Sequence, residues 1–277
     1  MSLVFRSEEQ GSVTKPESAV EPALYHPSGD GFVATPFARG PWDPRFQHGG
    51  PPAALLVGAM AAFGDDAGAF RLARLTVELL RPVPLGHCRV EVRSIRAGRT
   101  VDRLEGRLIA EDRVCLEARC LRIRRQPLAV VAGPDLARWP DPGGLEDFVF
   151  PFFEQDIGYH RAVQLRIAHG SWGSTPIGMW ARCVVPLVSG RETTPLERLL
   201  ILADAQSGMG VPLDPRDYTF VNPDLSVLIT REPASDWLGF DVRSSASPDG
   251  TGLSESAIRD QQGAVGRSGQ LLVVAQR

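Results

Sequence analysis

Two short stretches of this 277-residue chain carry residues whose type and setting could do chemistry. One is Asp204, which closes the run Leu199-Leu200-Ile201-Leu202-Ala203-Asp204. A carboxylate on an apolar helix is costly to bury unless it is paired or hydrated. It is therefore either a structural acid bonded to backbone, or a general base whose pKa partial desolvation would raise toward the working range. The other stretch is His48-Gly49-Gly50, just ahead of Pro51-Pro52. Glycines at a helix start serve a tight turn, with His48 as a cap. Alternatively, Gly49 or Gly50 presents a backbone N–H, at the positive end of the helix, to a developing oxyanion. Ser207 and Ser226 lack the strand-to-helix setting of a nucleophilic serine. Cys88, Cys115, Cys120 and Cys183 have no metal-site spacing and read as reduced, packed thiols, so neither a metal nor a redox cofactor is expected.

The elements that must position these residues follow from pattern. Pro51 and Pro52 suit a helix start, where a missing N–H costs nothing, and Gly50–Phe63 is apolar on every side, as a buried helix is. Alternating runs follow at Ala73–Leu79, Val90–Val92, Leu104–Ile109 and Val114–Ile123, separated by turn residues. In the second half Thr194-Pro195-Leu196-Glu197 is a capping box that opens a helix ending near Gly208–Gly210. Strands are expected before it at Tyr159–Ala168 and Met179–Leu187. After it they are expected at Phe220–Thr230, Trp237–Ser245, Gly252–Arg259 and Val265–Ala275, with Asp260–Gly263 as the last hairpin turn.

The two halves repeat. Arg71–Ser94 lies over Val221–Ser244 at a constant offset of 150, with Leu75-Thr76-Val77 on Leu225-Ser226-Val227 and Arg81 on Arg231. So long a period means two copies of one fold unit. An apolar helix and an antiparallel meander, twice over, describe an α+β protein with a curved sheet wrapped around a central helix in each half; a plain α+β sandwich would read similarly. The divisions expected are an arm over 1–30, a first unit over 31–125, a Pro/Gly-rich linker over 126–150 and a second unit over 151–277. Net charge is −3 and no Lys/Arg-rich block occurs, which disfavours nucleic acid and anionic membrane as partners. No membrane-spanning run and no signal peptide is seen, so a cytoplasmic protein is expected. Trp42, Trp172, Trp180 and Trp237 read as core or interface aromatics.

His48-Gly49-Gly50-Pro51-Pro52-Ala53-Ala54-Leu55-Leu56 resembles the helix start of hotdog-fold thioesterases. Phe220–Val227, Arg231 and Asp260–Gln270 resemble the acyl-CoA thioesterase II-like family, over roughly residues 30–277. The resemblance implies two tandem hotdog domains and hydrolysis of acyl-CoA to a free acid and CoA, with no cofactor beyond the CoA of the substrate. It also implies a homodimer or higher homo-oligomer. In that family an Asp, a Thr and a Gln of the second hotdog hold the hydrolytic water, and the matching positions are Asp204, Asn222 and Gln270. Asn in the Thr slot is a departure, and Gln276 is the fallback for Gln270.

At the repeat offset Asn222 falls on Leu72 and Gln270 on Cys120; Asp204 falls on Ala54, or on Val57 in another helix register. The first copy thus lacks the trio. In single-hotdog thioesterases an HGG-like turn is followed along its helix by the catalytic Asp. Here that slot is Val57, and the same spacing counted back from Asp204 reaches Pro195. A composite site is expected, with the Gly49 or Gly50 N–H from one half and Asp204 from the other, and His48 as a structural or substrate-binding neighbour. Arg119, Arg122, Arg124 and Arg125 form either a charged strand face or a contact for CoA phosphates. Two other functions stay open: a non-catalytic acyl-thioester binding protein, and an acyl-thioester hydratase or dehydratase. The latter is disfavoured because no carboxylate is placed by sequence to pair with His48.

Overall fold

A computed structural model describes residues 21–64, 67–129, 138–211 and 213–277. Most of the expected arm and the middle of the expected linker lie outside the described residues. The first half runs β1 (Tyr25–Ser28), β2 (Gly31–Ala34), α1 (Gly50–Ala61), β3 (Phe70–Leu79), β4 (His87–Arg96), β5 (Val101–Ala110) and β6 (Arg113–Arg124). The second half opens with β7 (Asp147–Phe148), the single-turn α2 (Tyr159–Ala162), β8 (Val163–His169) and β9 (Ile177–Cys183). It continues with α3 (Pro195–Ala203), α4 (Gln206–Met209), β10 (Tyr218–Val221), β11 (Asp224–Ile229), β12 (Leu238–Ala246), β13 (Thr251–Asp260) and β14 (Gly263–Gln276).

All these strands belong to one antiparallel sheet. Its order is β1-β2-β4-β5-β6-β3 in the first half and, from the far edge inward, β7-β8-β9-β12-β13-β14-β11 in the second. Each half therefore has the same path: the strand before the helix at one side and, at the other, the strand that follows it, β3 in the first half and β11 in the second, where the short β10 pairs with β14 off this path. The halves join where β3 pairs with β11, and Thr76 sits opposite its own repeat counterpart, Ser226. Val77 faces Leu225 and Leu75 faces Val227, so the equivalences swap across that point, as a local twofold requires. The repeat extends to the hairpins. Leu104 pairs with Cys120 and Ser254 with Gln270, and both hairpins shift register at the matching place, after Leu108 and after Ile258.

Helices α1 and α3 pack antiparallel against each other. Gly50, at the start of α1, lies so close to the end of α3 that a Cβ there would meet the Ile201 carbonyl oxygen at 2.5 Å. Near the other end, Gly58 plays the same part beside Glu197 of α3. Every residue of α1 from Gly50 to Val57 is buried, which accounts for a helix with no polar stripe. The expected capping box of Thr194 and Glu197 is present and fixes the start of α3.

Three expectations are corrected. The second helix does not run to Gly208–Gly210 without a break. It stops at Ala203, and α4 begins again at Gln206, because the Asp204 carbonyl accepts a side-chain hydrogen bond from Gln270. The strand expected over 220–230 is split into β10 and β11 at Asn222-Pro223, where Pro223 has no N–H for the ladder. The strand expected from Tyr159 is preceded by α2, so Tyr159 lies on a helical turn.

Candidate active site

The break after α3 leaves Asp204 at the helix end, 4 % exposed, with its carboxylate at the seam between the halves. Asn222 Nδ2 donates to Asp204 Oδ1 at 2.8 Å, and Gln270 Nε2 donates to the same oxygen at 3.2 Å. The three residues expected from the second half are therefore brought together. Asn222 is held by its place in the bend before Pro223, where Nδ2 also donates to the Asp224 carbonyl at 3.2 Å. Gln270 is fully inside the sheet on β14. Gln276 is an exposed residue at the far end of that strand, opposite Tyr218.

The first half supplies the other side. His48 Nδ1 lies 2.9 Å from Asp204 Oδ2, and Gly50 N–H is 3.2 Å from the same Nδ1 and also donates to the carboxylate. Two acceptors at 2.9 Å would repel, so we assign the Nδ1 proton to the bond with Asp204. The imidazole is stacked on the Tyr159 ring, with centroids 3.8 Å apart and planes 7° from parallel. The Tyr159 hydroxyl donates to the Ile201 carbonyl at 2.7 Å, tying this clamp to the last turn of α3. His48 thus does have a carboxylate partner. Sequence spacing hid it because the partner comes from the other copy.

Burial alone would raise the pKa of Asp204. The facing His48, the Asn222 amide and the Gly50 N–H outweigh it and hold the carboxyl below the ordinary value of 3.8. This reverses the expectation of a raised pKa. A carboxylate with donors on both oxygens is stabilised in its charged form even where water is scarce. The expected choice between Gly49 and Gly50 is also narrowed. With Nδ1 protonated, the Gly50 N–H is spent on Asp204, whereas Gly49 faces the cavity and its N–H has no acceptor among the described residues.

That cavity, about 580 Å³, has Asp204, Asn222, His48 and Gly49 on one side. Its apolar walls are Trp42, Phe150, Phe152, Phe153 and Phe220. Trp42 stacks on Phe152 at 6.0 Å and meets Phe220 edge-on at 5.1 Å, so it packs on the small core cluster of Val211, Phe220 and Leu272 and also lines the cavity. Phe220 is on β10, whereas Phe150, Phe152 and Phe153 come from the end of the expected linker and the chain just beyond it, which has almost no regular structure. The bunching of Phe148, Phe150, Phe152 and Phe153 was the available sequence signal. The four arginines of β6 and its end do not line the cavity. Arg122 is buried on Asp102 and the Phe63 carbonyl, Arg119 pairs with Glu105, Arg125 with Glu232, and Arg124 lies over Phe70. Among the described residues no group of His, Cys, Asp and Glu could hold a metal ion, and no helix is long and apolar enough to cross a membrane.

A composite acid–imidazole–amide site beside an apolar cavity, between two copies of a helix-and-sheet unit, defines a class of protein. The comparisons agree with that class. Residues 38–123 match the model of the acyl-CoA thioesterase N-terminal domain, and residues 133–274 match that of the C-terminal domain. The chain belongs to the acyl-CoA thioesterase family. Among solved structures it is similar to a hot dog fold protein of unknown function from Alicyclobacillus acidocaldarius, with a TM-score of 0.67 and 16 % identity over 91 % of this chain and 95 % of that one. It is similar to a tesB protein of Mycobacterium avium subsp. paratuberculosis, with a TM-score of 0.64 and 18 % identity over 91 % and 96 % of the two chains. For an acyl-CoA thioesterase II of Mycobacterium marinum the TM-score is 0.65, with 16 % identity over 83 % and 89 %. At such identities these likenesses speak for the hotdog fold alone. No curated protein matches the chain.

Proposed function

We propose that this chain is a pair of tandem hotdog units that hydrolyses acyl-CoA thioesters to a carboxylic acid and CoA at one composite site. The observation that carries the reading is Asp204: a carboxylate kept charged by His48, Asn222 and the Gly50 N–H, and bonded by Gln270, at the wall of an apolar cavity beside Gly49. The acyl group lies against Trp42, Phe150, Phe152 and Phe220. The Gly49 N–H polarises the thioester carbonyl. A water hydrogen-bonded to Asp204 attacks that carbon: the C–O bond forms, the C–S bond breaks, and the water's proton passes by way of Asp204 to the departing thiolate. Asn222 and Gln270 hold the acid rather than the water, since their amide protons are directed at Asp204 Oδ1. The bound acyl group excludes solvent, which moves the acid's pKa up from its resting value as the reaction needs.

Release of free thiol from a panel of acyl-CoA esters tests this directly. Turnover by the wild-type chain on at least one ester is expected; no release from any ester, with binding intact, would leave a carrier or scaffold. The His48–Asp204 contact of 2.9 Å also favours a second reading, acyl-thioester hydration or dehydration by an acid–imidazole pair. A change in enoyl absorbance without thiol release would select it.

A further inference from the structure

The buried face behind the site differs in chemistry between the two copies. On β13 and β14, Ser254 is paired with Gln270 and Ser256 with Ser268, and all four are buried. At the matching register of β5 and β6 stand Leu104, Cys120, Gly106 and Ala118, also buried. The first copy covers this patch with Leu56 and Met60 of α1, which lie directly over Gly106. The second copy covers it with Gln206, wholly buried at the start of α4 and two residues beyond Asp204. Gln206 Nε2 donates to the Ser254 carbonyl at 2.9 Å, its Oε1 accepts from the Ser268 hydroxyl, and the Ser244 hydroxyl donates to Ser254 Oγ at 2.8 Å.

A polar network buried in a core offers little stability over an apolar filling of the same shape. Its value here is geometric. Ser268 and Gln270 lie on the same face of β14, and Ser254 is Gln270's partner across the hairpin. Gln206 therefore ties the break that carries Asp204 to the very strands that carry Gln270. Without that tie, α4 could slide over the sheet and the 3.2 Å contact from Gln270 to Asp204 Oδ1 would open.

We propose that Gln206, with Ser268 and Ser254, is a positioning unit that sets the register of Asp204 against Gln270; its consequence for turnover rests on the thioesterase reading above. The test is the double substitution Q206L/S268A, which gives the second copy the aliphatic and alanine chemistry of the first. Expected are a melting temperature close to wild type, KM for acyl-CoA within about twofold and kcat lower by roughly 10- to 100-fold, the scale of a small misplacement of a catalytic group. The Gln270 side-chain amide resonance is expected to shift and to exchange faster with solvent. S268T, which keeps a hydroxyl, restores kcat relative to S268A. If the double variant fails to fold, S268A against S268T carries the test alone. Wild-type kcat together with an unmoved Gln270 amide overturns the proposal, and so does a fall in kcat with that amide unmoved. A wild-type chain that releases no thiol defeats the thioesterase reading, yet the amide resonance still decides the positioning claim.

Discussion

The two ends of the α1–α3 pair are built alike and used differently. At each end a buried carboxylate sits against a glycine: Asp204, just past α3, by Gly49 and the Gly50 N–H at the start of α1, and Glu197 of α3 by Gly58 of α1. Glu197 is consumed by structure. It accepts from the Thr194 N–H at 2.8 Å and from both terminal nitrogens of Arg191, in a sealed position 1 % exposed. Asp204 has no cation from Lys or Arg among the described residues and borders a cavity. Its partners are two amides, an imidazole and a backbone N–H, groups that hold a carboxylate without quenching it. A buried acid satisfied by a guanidinium closes a helix end; the same acid satisfied by weaker donors beside a space stays available to a ligand.

The largest effect that could break this contrast is D204N, a change that keeps the shape. We expect thiol release to fall by about 10³-fold, within the usual range for loss of a general base, with KM little changed. Near wild-type turnover in D204N would place the two carboxylates in the same structural role.

A second pair sharpens the comparison. Arg231 and Arg81 are repeat counterparts. Arg231 is locked to Asp260, its terminal nitrogens lying 2.6 and 2.7 Å from the two carboxylate oxygens, which also accept the Ala234 and Gln262 N–H groups. D260A is expected to cost about 3 kcal/mol in denaturant unfolding, because it leaves buried donors unpaired. Burial would raise the pKa of Asp260, but Arg231 and the two backbone N–H groups hold it below 3.8. A depressed folded pKa gives stability that is complete above the unfolded value and is lost as pH falls through the folded one. Acid unfolding of the wild type therefore begins below about pH 4, and D260N should flatten that limb. At the sealed helix end, E197A is expected to cost about 1–2 kcal/mol, the scale of a lost cap, and to leave kcat within a few-fold. A collapse of kcat in a folded E197A chain would undo the contrast of the two ends.

Much of this frame was legible because a strand repeat survives residue by residue: the offset that aligns Leu75 with Leu225 also aligns the Leu104–Cys120 and Ser254–Gln270 pairs. Asp204 was legible as a charge in an apolar run. The pairing of His48 with Asp204 was not, since it joins residues of different copies and depends on how the helices cross. The direction of the Asp204 pKa is hidden from sequence for the same reason. Burial can be read from neighbours in sequence, but the donors that outweigh it come from residues 48, 50 and 222. The aromatic wall is not legible because Phe150, Phe152 and Phe153 lie in irregular chain, where no period marks a buried face. The helix break after Ala203 is set by a side chain on β14 bonding a helix carbonyl, which no local propensity encodes.

The smallest effect concerns Arg81, the counterpart without an acid. At the place of Asp260 the first copy has Ala110. Arg81 is accordingly exposed at the cavity, with one side-chain hydrogen bond among the described residues, to the Val114 carbonyl at 2.9 Å. The β6 arginines are already engaged with their own acids, carbonyls and ring, so a guanidinium able to meet the phosphates of CoA is better sought here. R81A is expected to leave unfolding unchanged and to raise KM about tenfold for acyl-CoA, the loss of one charge-assisted contact. The same acyl group on a short thiol without phosphates would show no change in KM. Equal effects on both esters would mean that Arg81 shapes the cavity wall instead, and that losing the acid in one copy did not turn a structural arginine into a binding one.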